Sequence, residues 1–452
     1  MLEGAKKVVG DKFVGQLSNY LSKNPENNIE KATNMLYKLA ITDEHKKQIK
    51  AAQRILVEPR SNWRELYLRS ISETDPGVRD RLLVNFLVHS ALLGLPQQRE
   101  LEAKLGHGVP WAILIDPTDR CNLRCKGCWA GEYTHKNDLD YALLDRIISE
   151  GEELHIHFYV LSGGEPLVRK DDIVKLAKKH RDSVFHIFTN GTLIDDKFAR
   201  QCVEAGNITF AISVDGFEES TDARRGAGVY QKLMHSVDIL REHGLFYGFS
   251  TTYHRHNVEE VCSDDYIDML IDKGFRFGWY FTYMPVGADS DLDFMATPAQ
   301  RAYAYQRIHE FRQRKPVFVA DFWNDGEATD GCIAGGRRYF HINAAGEVEP
   351  CAFIHYANGN IHDMSVREAL KTPLFRAYQQ RYPFNDNMLR PCPFVDNPQV
   401  LADCVKESCA HCTQQDHMDV NVMAEKLEPY AREWGETAEA LKQGVRIEQL
   451  VS

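Results

Sequence analysis

The chain has 452 residues, 43% of them hydrophobic and 26% charged, enough for a large core divided among two to four domains of roughly 100 to 200 residues each. A net charge of −11 argues against general nucleic-acid binding, which needs a positive surface to displace counterions, although residues 1–100 hold 16 Lys+Arg against 12 Asp+Glu, a balance of +4 that leaves −15 elsewhere. No run approaches the roughly 18 uninterrupted apolar residues of a membrane span and "MLEGAKKVVGDKFVG" lacks a signal-peptide core, so a cytoplasmic protein is expected, in which 11 cysteines point to metal or redox chemistry and not to disulfides.

Residues 1–107 read as a helical region: "FVGQLSNYL", "IEKATNMLYKLA", "HKKQIKAAQRIL" and "VRDRLLVNFLVHSALLGL" carry apolar residues at helical spacing, broken by Pro25, Pro59, Pro76 and Pro96. The stretch 82–95 is apolar nearly all round. It reads either as a buried helix packed on the next domain or as an apolar wall for an acyl chain or a membrane surface. No three-stranded winged-helix pattern of the kind that binds leader peptides is seen there.

From Trp111 to about Val286 the pattern alternates. The strand candidates are "WAILIDPT", "HFYVLSG", "SVFHIFTNG", "ITFAISVDG", "YGFSTTYH" and "RFGWYFTYMPV", with amphipathic runs such as "YALLDRIISEGEEL", "DDIVKLAKKH" and "YQKLMHSVDILREHG" between them. This alternation predicts right-handed βαβ crossovers, a parallel sheet and an α/β fold, and six units are too few to close an eight-stranded barrel. "TDRC", "SGGEP", "TNGT", "SVDG" and "YMPVG" fall at the C-terminal ends of successive strands, where α/β barrels build their sites. Cys121, Cys125 and Cys128 stand in a C-x3-C-x2-C loop after the first strand. Three thiols do not complete a structural zinc set, but they fit a 4Fe-4S cubane with one iron left open to a small molecule.

With these motifs in this order, residues 111–286 resemble the radical S-adenosylmethionine (radical SAM) superfamily, whose core is a partial (β/α)6 barrel of the TIM type. The resemblance implies that Cys121, Cys125 and Cys128 hold the cluster and that its open iron chelates S-adenosylmethionine. Gly163, Gly164 and Glu165 would lie beside the methionine ammonium, Ser213, Asp215 and Asn190 would address its ribose and methionine ends, and Arg225 would pair with its carboxylate. The plainer readings are a strand-to-helix turn capped by Thr192 for "FTNGT" and a solvated loop arginine for Arg225. The family usually has an aromatic residue before the third cysteine; here that position is Gly127 and the aromatic is Trp129. The implied reaction is reductive cleavage to methionine and a 5′-deoxyadenosyl radical that abstracts hydrogen from substrate, in an oxygen-sensitive enzyme served by a reductant such as flavodoxin or ferredoxin.

Downstream, Cys332-x13-Gly346-x4-Cys351 resembles the opening of the SPASM/twitch extension, with Cys351 expected on a hairpin turning at Asn343 to Gly346. The spacing then departs, running Cys392, x11, Cys404, x4, Cys409, x2, Cys412. One auxiliary 4Fe-4S cluster is expected on Cys332, Cys351, Cys392 and one of the last three cysteines, against a zinc knob of Cys404, Cys409, His411 and Cys412. "DFWNDG", 321–326, reads as a linker near the barrel mouth in which Asp321, Trp323 and Asp325 line a substrate site or merely connect domains. The expected organisation is a helical region 1–107, a barrel 108–315, a cysteine-rich unit 316–415 and a helical tail 416–452. A small or lipid-like apolar substrate ranks slightly above a peptide, so peripheral membrane contact enters the expectation; a SPASM-type peptide or protein maturase, a non-catalytic electron carrier and a zinc scaffold are the rivals.

Overall fold

The computed structural model describes residues 14–40, 43–131, 136–287, 290–414 and 419–444. Seven strands follow one another in parallel: β1 (Ala112–Ile115), β2 (Phe158–Leu161), β3 (Val184–Thr189), β4 (Ile208–Ser213), β5 (Tyr247–Tyr253), β6 (Phe277–Thr282) and β7 (Phe318–Asp321). The six expected strands are all present. β7 is an addition: it precedes the segment read as a linker, meeting it at Asp321, and carries the parallel sheet past residue 315. Beyond β1, the sheet gains β8 (Tyr339–Ile342), parallel to it, and β9 (Val348–Glu349), antiparallel to β8, in the order β7-β6-β5-β4-β3-β2-β1-β8-β9. The cysteine-rich unit therefore donates the hairpin β8–β9 to the barrel sheet.

Local chemistry sets the crossovers. Helix Tyr141–Glu153 starts where the Asp140 carboxylate accepts from Leu143 N, Asp196–Ala205 where Asp195 accepts from Phe198 N, and Pro298–Arg314 at a reciprocal Thr297/Gln300 capping box. Their apolar faces bury Leu144, Ile147, Ile148, Phe198, Ala199 and Cys202 against the outside of the sheet. The inner face of the sheet is different, as described below.

In the helical region Pro59 falls in the turn between the helices Asp43–Val57 and Asn62–Ser72, as expected of a breaker, whereas Pro25 and Pro76 begin helices, because the missing N–H falls where a helix has no acceptor to offer. Pro96 is accommodated by a wide π-helical stretch, Val84–Gly94, which runs on into Leu95–Leu105. This apolar stretch is a packed helix. Asn85 donates to the carbonyls of Arg181 and Ser183, Ser90 accepts from the Trp111 indole, and Phe86 meets Phe158 at 5.6 Å. All these partners precede or begin strands, so the helix seals the N-terminal floor of the barrel, opposite the cysteine loop. Among the described residues no helix is long and apolar enough to cross a membrane.

Candidate functional site

Inside the sheet lies a cavity of ≈ 250 Å³. At the C-terminal rim it is lined by Cys121, Cys125 and Cys128 together with Gly163, Gly164, Glu165, Asn190, Ser213, Arg224 and Arg225. The three thiols thus share one wall with most of the residues picked out by motif.

The rim is held together by backbone and buried charge. Gly164 N donates to Thr118 O and Glu165 N to Arg120 O, joining "GGE" to the strand end that precedes Cys121. A Cβ on Gly164 would stand 2.3 Å from Arg120 O, and Gly163 has φ +105°, so both positions need glycine. Glu165 is fully buried: it accepts from Leu167 N and the Thr189 hydroxyl on one oxygen and from Asn190 N on the other. Burial raises its pKa and those three donors pull it back. Three of its lone-pair sites are occupied, so it braces β2 against β3 as well as facing the cavity. Asn190 accepts from Thr192 N and donates to Asn122 in the cysteine loop, while the next helix is capped by Asp195 and not by Thr192 as the turn reading had it.

Asp215 is placed differently from expectation. It lies behind the cavity wall, accepting from Arg224 (2.8 Å), Arg225 (2.6 Å) and Thr252 N. Burial would raise its pKa, but the two guanidinium groups hold it well below the usual carboxylate range. Asp215 therefore aims the arginines. The Arg225 side chain is 9% exposed and paired, not a solvated loop arginine, and its Nη1 comes within 3.9 Å of the Cys125 sulfur, while Arg224 O receives Lys126 N from the loop. Without an ion, burial pushes the Cys121 thiol up to about 12 and raises that of Cys128. Among the described residues no three Cys, His, Asp or Glu side chains form a closed cage, so ligation has to gather the loop and release thiol protons.

At Gly127, φ is +61° and a Cβ would meet the Tyr283 ring at 2.6 Å. The absent aromatic side chain is thus replaced in space by Tyr283, which follows β6 and lines the cavity. Asp321, Trp323 and Asp325 do not belong to the lining: Asp321 is sealed under Asn324, Trp323 packs on Phe353, and Asp325 pairs with Arg312. Phe322 between them faces inward instead.

In the second unit Cys332, Cys351 and Cys392 are neighbours, Cys351 buried and the other two partly buried, and each thiol is raised mainly by desolvation, Cys351 to about 11 and Cys392 to about 12. The Tyr339 hydroxyl donates to Cys351 Sγ at 2.7 Å. Cys404 is buried on the helix Pro398–Ser408, Cys409 is exposed at its end, His411 faces Glu347, and Cys412 lies in the two-residue strand β11 (His411–Cys412) paired with β10 (Tyr356–Ala357). The four members of the zinc alternative are therefore dispersed. Joining this unit to the barrel is a buried chain: His341 on β8 meets Asp116 at 2.8 Å and Glu349 at 2.7 Å.

Sequence reading missed Arg224, Tyr283, Phe322 and the inner lining of Phe188, Trp279, Phe281 and Phe353. The paired "RR" after a buried aspartate and the alternation along β3 and β6 were the available signals.

The radical SAM superfamily model matches residues 115–263, and an iron-sulfur cluster-binding domain, SPASM, matches residues 332–413. The AdoMet-dependent heme synthase of Methanosarcina barkeri is 26% identical over 300 residues, 58% of this chain and 82% of that protein. The PqqA peptide cyclase of Granulibacter bethesdensis is 25% identical over 317 residues, covering 64% and 81%. In fold, the chain is similar to Streptococcus suis SuiB bound to S-adenosylmethionine, with TM-score 0.56 at 15% identity over 84% of this chain and 87% of that one.

Proposed function

Since the chain belongs to the radical SAM superfamily and carries a SPASM iron-sulfur domain, we propose that it abstracts hydrogen from an extended apolar substrate held along the axis of its barrel. It is a radical SAM enzyme, and a 4Fe-4S cluster with S-adenosylmethionine supplies the one-electron chemistry. The observation that carries the substrate reading is the reach of the cavity: it extends from the thiols to Trp111, Ala112 and Phe158 at the start of β1 and β2. That is a full four-residue strand, about 13 Å at roughly 3.3 Å per residue. Walls of Phe, Trp and Leu along such a depth reward apolar length and exclude water from the reacting carbon.

The chain's own groups have definable tasks in this reading. Gly163 and Gly164 let a ligand approach the backbone, Arg225 offers a fixed cation to a carboxylate, and Asp215 keeps that cation from moving. For the auxiliary cluster we assign Cys332, Cys351, Cys392 and, as fourth ligand, Cys404. The buried Tyr378 hydroxyl, which has no hydrogen-bond partner among the described residues, lies within electrostatic reach of all four thiols and is a free donor for a cluster sulfur. Cys404→Ala should then lose auxiliary iron while Cys409→Ala and Cys412→Ala keep it; the reverse order overturns the assignment.

A second reading, a peptide or protein maturase, is favoured by the relatives, whose named substrates include a peptide, over a small apolar molecule. An aromatic or aliphatic side chain of a peptide would enter the same cavity. Fractions from source cells grown in deuterated medium separate the two. Anaerobic enzyme given S-adenosylmethionine and reductant should form deuterated 5′-deoxyadenosine with the lipid fraction; deuterium arriving from the peptide fraction alone establishes the maturase instead.

A further inference from the structure

Midway down the cavity the apolar lining is interrupted. His186 on β3 stands in register with Val160 on β2 and Thr209 on β4 and points inward with Phe188, while Phe185 and Ile187 point to the helices. Its Nδ1 is paired with the Thr209 hydroxyl at 2.9 Å, but its Nε2 is buried with no hydrogen-bond partner among the described residues. Across the barrel on β6 the Trp279 indole Nε1 is also buried and unpartnered, and the two ring centroids are 6.3 Å apart. Both residues line the cavity. Four residues along β3 separate His186 from Asn190 at the rim, a depth of about 13 Å.

Two orphaned polar atoms on neighbouring rings of one apolar lining are costly unless a ligand or ordered water satisfies them. We infer that His186 Nε2 and Trp279 Nε1 form a hydrogen-bonding station that holds one neutral oxygen-bearing group of the substrate, a hydroxyl, ketone or amide, and so fixes which carbon faces the thiols at the rim. Because indole N–H can only donate, the group held must contain an acceptor. Burial among Phe158, Phe188, Phe277 and Trp279 drives the His186 pKa down to about 3, which keeps the ring uncharged and leaves no cation at this depth for a carboxylate or phosphate. The substrate class becomes an apolar molecule with a single neutral polar interruption. This rests on the apolar-substrate reading, since a station of this kind has meaning only if a guest enters the barrel.

The test uses the reconstituted holoenzyme with S-adenosylmethionine and two guests of equal shape, p-cresol and p-xylene, by anaerobic calorimetry. Their affinity ratio isolates the hydroxyl. His186→Phe should lower the cresol-to-xylene ratio about tenfold with iron content unchanged, and His186→Gln, which keeps a hydrogen-bonding group, should restore part of it. Trp279→Phe provides an independent loss should His186→Phe fold poorly. If both guests bind and none of these variants moves the ratio, the two nitrogens are satisfied by water only and the station is refuted, while the apolar cavity stands. If neither guest binds the parent enzyme, the apolar-substrate reading falls and the station with it.

Discussion

Replacing Gly164 by alanine should disable the cysteine loop without unfolding the barrel. The new Cβ would lie 2.3 Å from Arg120 O, 2.5 Å from Arg120 C and 2.6 Å from Asp119 O, where ordinary contact begins at 3.4 Å. The obstruction is backbone and cannot rotate away, so the segment entering Cys121 has to retreat by about 1.1 Å. Overpacking of this kind costs about 1–3 kcal/mol. A displacement of about 1 Å at a reacting centre lowers rate by roughly 100-fold. The variant should therefore melt within several degrees of the parent, at about 2–4 °C per kcal/mol for a large domain, yet form 5′-deoxyadenosine about 100 times more slowly. Gly15→Ala, at a site with no heavy atom within 4 Å of the added carbon, is the matched control and should change neither quantity appreciably. Anaerobic turnover by chromatography, iron content and thermal unfolding give the comparison. Parent-level turnover by Gly164→Ala would show that the close approach of "GGE" to the cysteine loop has no functional weight.

Two further outcomes concern the joints of the fold. Arg301 and Asp396 are both fully buried and paired at 2.5 Å, with Asp396 also accepting from Cys392 N, so Arg301→Met leaves an uncompensated carboxylate and should cost about 3–5 kcal/mol in urea unfolding. Arg301→Met/Asp396→Leu should recover most of it; a single-variant loss below about 1 kcal/mol would contradict the pairing. For His341, burial alone would lower the pKa, but Asp116 and Glu349 outweigh it and raise it to about 10. The charged form is then fully stabilising below its unfolded value of about 6.5, and that stability is lost as pH rises through about 10. Melting temperature should fall between pH 7 and 10 in the parent, and the fall should be smaller in His341→Asn; parallel profiles would remove His341 from the account.

The six βα units and the order of their rim motifs were legible because buried parallel strands are short β-branched or aromatic runs and because their polar residues collect at one end. β7 was not, since four residues flanked by Pro316 and "DFWNDG" carry too little pattern to separate from a linker. The pairing of β8 with β1 was also hidden, because no local signal reports a partner two hundred residues away. Among the residues that line the cavity rim, the three cysteines, both glycines and Glu165 were picked out by motif, whereas the distinction between Asp215, which aims arginines, and Arg225, which lines the cavity, depends on which side of the wall each occupies. His186 was visible as a lone polar residue in "SVFHIFTNG", but only the position of Thr209 and the missing partner of the buried Nε2 give it meaning.

The insertion of β8 beside β1 also governs how the chain is made. Ala112 aligns with Tyr339, 227 residues later, so one edge of the first strand stays open until those residues have left the ribosome. At about 5–20 residues per second that interval is roughly 10–45 s. During it the barrel is an unfinished sheet with an unpaired ladder next to the cysteine loop, the condition in which strands find wrong partners and thiols meet oxygen before any cluster is in place. Truncation anywhere before residue 342 should therefore yield an aggregating fragment and not a smaller enzyme, and efficient production should depend on chaperones that mask a strand edge during synthesis.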